Sequence, residues 1–127
     1  MDELLDTEHE FSFMKRAKSF AHAGRGILVL LKTTPNAWIH ITALVAVVAL
    51  GFYYHITTIE WIALVFACGF VLVSEAFNTA LEIDVNLTSP EYHPYARDIK
   101  DVSAGAVLLS AIIACIIGAL IFIPYVV

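Results

Sequence analysis

The sequence predicts an all-α integral membrane protein with three spanning helices and an N-terminal amphipathic interfacial helix. Of the 127 residues, 60% are hydrophobic and only 15% are charged, and the mean hydropathy is +0.81. Three predominantly apolar stretches are each long enough to cross a bilayer. The net charge of −5 comes largely from the first ten residues, and no basic patch indicates a nucleic-acid partner.

The chain is predicted to form a single membrane-embedded domain over residues 1–127. Residues 1–10 are acidic and are expected to be a flexible lead-in. Residues 11–33 carry apolar side chains at helical spacing, with basic side chains mainly on the other faces. This pattern is typical of an amphipathic helix that lies in the membrane interface.

The three spans are predicted over residues 37–55, 59–85 and 101–124. Pro35 precedes the first span and is suited to start a helix. Residues 55–58 are a short turn, and residues 87–100 are expected to be a polar loop. His40 lies one turn from the start of the first span and is expected to extend towards the interface.

The distribution of Lys and Arg predicts the orientation. Five of the seven precede the first span and the other two lie between the second and third spans, whereas the turn between the first two spans has none. The positive-inside rule therefore places the N-terminus and the second loop in the cytoplasm and the C-terminus outside.

A polar stripe lies at the end of the second span. Glu75, Asn78 and Glu82 are at positions i, i+3 and i+7, so they share one helix face. One explanation is a polar helix-packing seam, in which Asn78 and Thr79 bond a neighbouring helix. Two carboxylates at membrane depth fit that explanation poorly, because each needs its own neutralising partner.

The polar stripe falls near the cytoplasmic boundary, where Lys100 and Asp101 begin the third span. Phosphoryl transfer needs carboxylates for Mg²⁺, cations for phosphates and a base for the attacking hydroxyl. We expect Glu82 to bind the metal, Glu75 to act as base, Asn78 to orient the metal or a phosphate, and Lys100 to contact phosphates. Alternatively, Lys100 and Asp101 are only an interfacial anchor and a helix N-terminal charge.

The sequence resembles the small bacterial lipid kinases of the diacylglycerol kinase / undecaprenol kinase family. The residues that carry the resemblance are Glu75-Ala-Phe-Asn78-Thr79-Ala80-Leu-Glu82 and Lys100-Asp101-Val-Ser-Ala-Gly105-Ala-Val, and the similarity extends over nearly everything after Phe11. The resemblance implies a homotrimer in the bacterial cytoplasmic membrane, with composite active sites, ATP as phosphoryl donor, Mg²⁺ as cofactor and a membrane lipid alcohol as acceptor. It also implies nucleotide contacts from Glu82, Lys100 and Asp101, and it makes Lys15 and Arg25 weaker candidates for phosphate or lipid contacts.

Two positions depart from the family pattern. Thr34 stands where the family usually has a second metal-binding Glu, and Asn86 stands where it usually has an Asp. A hydroxyl is a poor Mg²⁺ ligand, so a weak or inactive enzyme is one alternative. Another is a non-enzymatic oligomeric membrane protein or transporter, although the first and third spans carry few polar residues for a conduit. Diacylglycerol and undecaprenol both present a primary hydroxyl, so the sequence does not distinguish which of the two is the acceptor.

Overall fold

The computed structural model describes residues 12–127 and confirms the all-α prediction. Four helices follow one another: α1 (Phe13–Thr33), α2 (Pro35–Tyr54), α3 (Thr58–Thr88) and α4 (Pro94–Val126). No strand occurs within residues 12–127. Helices α2, α3 and α4 are each long and apolar enough to cross a membrane. The predicted flexible lead-in, residues 1–10, and residue 11 of the predicted surface helix lie outside the described residues.

Each helix begins at a residue whose chemistry favours a helix start. The Ser12 hydroxyl accepts the Lys15 amide of α1, and Pro35 occupies the first turn of α2. Helix α3 opens with a capping box, in which Thr57 accepts the Glu60 amide and the Glu60 carboxylate accepts the Thr57 amide. His55, in the left-handed region with φ 53°, ends α2 and permits the tight turn into α3.

The prediction of a polar loop over residues 87–100 is wrong for most of that stretch. Helix α3 continues to Thr88 and α4 already begins at Pro94, so only residues 89–93 connect them. Pro94 fixes a helical φ at the first position of α4, and the His93 imidazole caps the Tyr95 amide at 3.1 Å. Both helices therefore extend beyond the apolar runs, since polarity alone does not end a helix.

The pair formed by α3 and α4 is the most extensive helix contact, and α2 packs against α3 beside it. The apolar core lies at the end of the bundle near the α2–α3 turn, where Ile56, Leu64 and Ile121 are buried together. Gly51 allows the Trp61 ring to approach, because a Cβ there would lie 2.5 Å from it. At this end the Tyr125 hydroxyl donates to the Glu60 carboxylate at 2.6 Å, which ties α4 to the start of α3.

Large apolar side chains on the outer faces of the helices are exposed in the single chain. On α3 they recur at Phe66, Phe70, Val73 and Phe77. Helix α1 has no buried residue and touches α2 and α3. Such surfaces fit a surrounding bilayer or further copies of the chain, and they leave one polar region inside the bundle.

Candidate active site

The central part of α3 buries polar side chains, whereas its first half buries apolar ones. Glu75 is 1% exposed, Asn78 8% and Thr79 7%, and Glu75 is the one large side chain of residues 12–127 that is buried almost completely. Each of the three meets a polar group from a different part of the chain. The polar region is therefore a site inside the bundle that is assembled from several parts of the chain.

Glu75 faces the imidazole of His40 across the α2–α3 interface. The His40 Nε2 atom lies 3.4 Å from Glu75 Oε2, and no donor within residues 12–127 gives that oxygen a hydrogen bond. The prediction that His40 extends towards the interface is therefore wrong, because its side chain faces Glu75 inside the bundle. Burial of a carboxylate without a partner costs free energy. Within the described chain, the His40 imidazole is the one ionisable group close enough to offset that cost.

Asn78 is held from the opposite side, by α4. The Ser103 hydroxyl is placed to donate to Asn78 Oδ1 at 2.8 Å, and it also lies 3.0 Å from the Lys100 carbonyl oxygen. Ser103 is itself buried, with 7% exposure. The accepting oxygen of the Asn78 amide is thereby fixed towards α4, which leaves the amide nitrogen as a donor for another group.

Thr79 joins α3 to the junction between α1 and α2. Its hydroxyl lies 2.6 Å from the hydroxyl of Thr34, the residue between these two helices. Thr34 is buried, so its side chain is engaged with protein. Its predicted role at a metal position stays a prediction, and the structure places the hydroxyl in a helix-joining contact.

Glu82 completes the stripe at an exposed position. It makes no ion pair or hydrogen bond with another residue of the described chain, and Asp84 beyond it is also exposed. No group of three His, Cys, Asp or Glu side chains within residues 12–127 converges on a possible metal. Mg²⁺ is commonly held by one or two carboxylates together with substrate phosphates and water, so this donor set fits Mg²⁺ only when phosphates are bound.

Lys100 and Asp101 line a cleft beside the α3–α4 connection. The cleft has a volume of about 280 Å³, and its walls include Asn86, His93 and Arg97. The Lys100 ammonium donates to Asn86 Oδ1 at 2.6 Å. Asn86, a departure from the family pattern, therefore orients the cation that the sequence predicts to contact phosphates. Lys100 shares its turn with Ser103, which links the cleft to Asn78.

The two remaining predicted residues, Lys15 and Arg25, lie on α1 with exposed side chains. The structure brings neither of them into an ion pair or side-chain hydrogen bond with the stripe. A groove between α1 and α3 is lined by neither of them, and its walls combine aliphatic side chains with small residues that include Ala23, Gly26, Ala76 and Ala80. Close approach of these helices is allowed by the small side chains.

Sequence reasoning missed two polar contacts of the site. The sequence pattern predicts an interfacial position for His40, and it assigns Ser103 only to close helix packing although Ser103 belongs to the motif that begins at Lys100. The available signal for Ser103 was its position three residues after Lys100, on the same helix face. For His40 the available signal was an ionisable side chain within an apolar span, a feature that usually marks function.

Comparison with known proteins gives an independent view of the chain. Residues 21–122 match the family described as prokaryotic diacylglycerol kinase. The chain is 41% identical over 117 residues to a Bacillus subtilis protein named undecaprenol kinase, which covers 92% of this chain and 95% of that protein. It is 38% identical over 107 residues to a Synechocystis diacylglycerol kinase, over 84% of this chain and 61% of that protein. A Helicobacter pylori diacylglycerol kinase is 26% identical over 110 residues, which cover 81% of this chain and 86% of that protein.

Proposed function

This chain belongs to the prokaryotic diacylglycerol kinase family and is a lipid kinase, and we propose that it transfers the γ-phosphoryl group of ATP directly to the primary hydroxyl of a membrane lipid alcohol. The observation that carries this mechanism is the buried Glu75 carboxylate next to Asn78 on α3, with the Lys100–Asp101 cleft on the same half of the helix pair.

Glu75 is the general base in this proposal. The hydroxyl oxygen of the acceptor attacks the γ-phosphorus, the bond to the β–γ bridging oxygen breaks, and ADP leaves with that electron pair. The proton of the hydroxyl passes to the Glu75 carboxylate. Burial supports this role, because it keeps water away from the carboxylate and leaves the hydroxyl of the acceptor as the group from which it takes a proton.

The other stripe residues bind and orient the phosphates. Asn78, whose oxygen is already held by Ser103, has its amide nitrogen available for a phosphate oxygen. Mg²⁺ would be held by Glu82 with the phosphates of ATP, and it would neutralise their charge. Lys100 contributes a cation and Asp101 flanks the nucleotide in the cleft. Lys15 and Arg25, which are exposed on α1, are weaker candidates for contacts with lipid or phosphate.

Undecaprenol is the acceptor that we propose first, with diacylglycerol as the second. The similarity to the Bacillus subtilis undecaprenol kinase is the reason, since it covers 95% of that protein at 41% identity. Both lipids carry a primary hydroxyl at the membrane surface, so the proposed chemistry at Glu75 is the same for each.

We also propose a homotrimer in the bacterial cytoplasmic membrane, with the N-terminus and the α3–α4 connection in the cytoplasm and the C-terminus outside. The exposed apolar face of α3 at Phe66, Phe70 and Val73 supports contact with lipid or other copies. The Lys and Arg distribution supports the orientation. Another copy of the chain would also be a source of further ligands for Mg²⁺ near Glu82.

The test is transfer of labelled γ-phosphate from ATP with Mg²⁺ in mixed micelles, with undecaprenol and diacylglycerol supplied separately. We expect labelled lipid with at least one acceptor and its loss in Glu75→Gln, a change that preserves shape and removes the base. Size measurements in detergent establish that both proteins have the same oligomeric state. No labelled product with either lipid, from folded wild-type protein, would refute the proposed reaction.

A further inference from the structure

We propose that His40 is a positioning residue, which holds the Glu75 carboxylate in its reactive orientation through the contact between Nε2 and Oε2. This inference rests on the proposed function, in which Glu75 accepts the proton of the lipid hydroxyl. It gives α2, which supplies no other group to the stripe, a part in orienting the base.

The side chains of Glu75 and His40 have no other polar partner in the part of the chain that the structure describes. Within residues 12–127, His40 Nε2 at 3.4 Å is the one ionisable group that contacts Glu75, and no Lys, Arg, Asp or other His does so. The imidazole in turn makes no other side-chain hydrogen bond there. Two isolated polar groups that meet in an apolar interior determine each other's orientation, because any other rotamer leaves both without compensation.

The surroundings of His40 away from Glu75 are mainly apolar. His40 lines a cavity of about 200 Å³ between α2, α3 and α4, together with aliphatic residues such as Leu44, Leu64 and Val71. The remaining polar atoms of this lining are the thiols of Cys68 and Cys115, which are weak hydrogen-bonding groups. The strongest hydrogen-bond acceptor beside the imidazole is therefore the Glu75 carboxylate.

The two oxygens of the Glu75 carboxylate differ in their surroundings. The oxygen that lacks a hydrogen-bond donor in the described chain is Oε2, and it is the oxygen that faces the imidazole. A small adjustment of the ring that directs Nε2–H at Oε2 and shortens the 3.4 Å separation makes a hydrogen bond between them. Engagement of Oε2 by His40 leaves Oε1 for the proton of the acceptor hydroxyl. The expected consequence of losing His40 is thus a slower chemical step with unchanged substrate binding.

The experiment compares three substitutions at this position by the steady-state kinetics of phosphate transfer. His40→Gln places an amide nitrogen close to the position of Nε2, whereas the shorter His40→Asn does not reach it, and His40→Leu removes all polarity. We expect kcat to fall about 10- to 100-fold in the Asn and Leu variants, part of the factor that a general base contributes, and to stay within about threefold in the Gln variant. KM for ATP and lipid should change less than about threefold in all three variants.

Ser110→Ala is the matched control. It removes a different polar contact between helices, the 2.8 Å pair of Ser74 on α3 and Ser110 on α4, and it leaves Glu75 unchanged. It should keep the wild-type kcat. The Gln and Asn variants are both polar and differ by one methylene, so the comparison survives even if His40→Leu does not fold. Equal kcat in the Gln and Asn variants, or a change confined to KM, would overturn the proposal.

A double-variant cycle separates this proposal from the proposed function. His40→Leu should lower the thermal stability in detergent of the Glu75 protein more than that of the Glu75→Gln protein, because only the former retains a buried carboxylate. Inactive wild type refutes the proposed function and this inference together. Active wild type with inactive Glu75→Gln and fully active His40→Leu refutes the inference alone.

Discussion

The hydroxyl of Thr34 lies 2.6 Å from the hydroxyl of Thr79, and this pair joins the α1–α2 junction to the last buried polar residue of α3. Thr34 is the position where the family pattern has a carboxylate. A side chain there consequently points at the helix that carries Glu75 and Asn78. Thr34 therefore bears both on Mg²⁺ binding and on the packing of the α1–α2 junction against α3, and the two effects can be tested separately.

Thr34→Glu should increase the apparent affinity for Mg²⁺. A second carboxylate near the stripe adds a charged oxygen ligand, and ligand charge count is a main determinant of affinity for hard cations. We expect the Mg²⁺ concentration for half-maximal phosphate transfer to fall about tenfold. Thr34→Gln, which has the same shape without the charge, is the control. An equal Mg²⁺ requirement in the wild type and both variants would indicate that the site already has its ligands.

The Thr34–Thr79 pair should contribute to stability through coupling of the two hydroxyls. Thr34→Val and Thr79→Val each leave one buried hydroxyl unpaired, which costs about 1 kcal/mol, while the double variant leaves none. The double variant should therefore lose less stability than the two single variants added together. Unfolding of the four proteins in detergent measures this. Strict additivity would mean that the hydroxyls do not interact.

Ser103→Ala should lower kcat without preventing folding. The Ser103 hydroxyl fixes Asn78 Oδ1 at 2.8 Å, so its loss frees the Asn78 amide to rotate. A hydrogen bond that contributes about 1 kcal/mol to orientation corresponds to a loss of about fivefold in kcat. Steady-state kinetics of phosphate transfer provide the measurement, with Ser110→Ala as the control on the same helix. Wild-type kcat in the Ser103 variant would remove Ser103 from the proposed site.

Lys100→Met should raise KM for ATP about tenfold, which corresponds to about 1.4 kcal/mol for the lost contact between a cation and phosphate. Lys100 lines the 280 Å³ cleft and is oriented by Asn86, so its substitution affects the nucleotide more than the lipid. Initial rates against ATP concentration at saturating lipid test this. Lys18→Met, an exposed position on α1, serves as control. An unchanged KM would make Lys100 an interfacial anchor only.

The proposed orientation predicts opposite accessibility for the two inter-span connections. Tyr53, beside the α2–α3 turn, and Tyr92, in the α3–α4 connection, are exposed to nearly the same extent, 75% and 76%. Each is replaced by cysteine in a chain with Cys68→Ala and Cys115→Ala. In intact cells a membrane-impermeant maleimide should label position 53 and not position 92, because the basic residues flank the cytoplasmic side. The reverse pattern would invert the topology.

Periodicity and composition determined much of this protein without any structure. Runs of apolar residues predict the three long helices, because a membrane interior requires about 20 apolar residues with internally bonded backbone. The i, i+3, i+7 spacing likewise places Glu75, Asn78 and Glu82 on one face, since 3.6 residues per turn is a local property. The buried positions of Glu75 and Asn78 agree with that interpretation, whereas Glu82 is exposed.

Tertiary structure alone decided which groups meet the stripe. His40 reaches Glu75, Thr34 reaches Thr79 and Ser103 reaches Asn78 across three different helix contacts. These contacts depend on the rotation and axial shift of one helix against another, which the periodicity of either helix leaves undetermined. The same holds for the connection after Thr88, where a proline and a histidine cap set the start of α4 within a stretch that is polar throughout. Local sequence therefore determined the helix face on which the Glu75 carboxylate lies, and helix packing determined that His40 is the partner that offsets the cost of its burial.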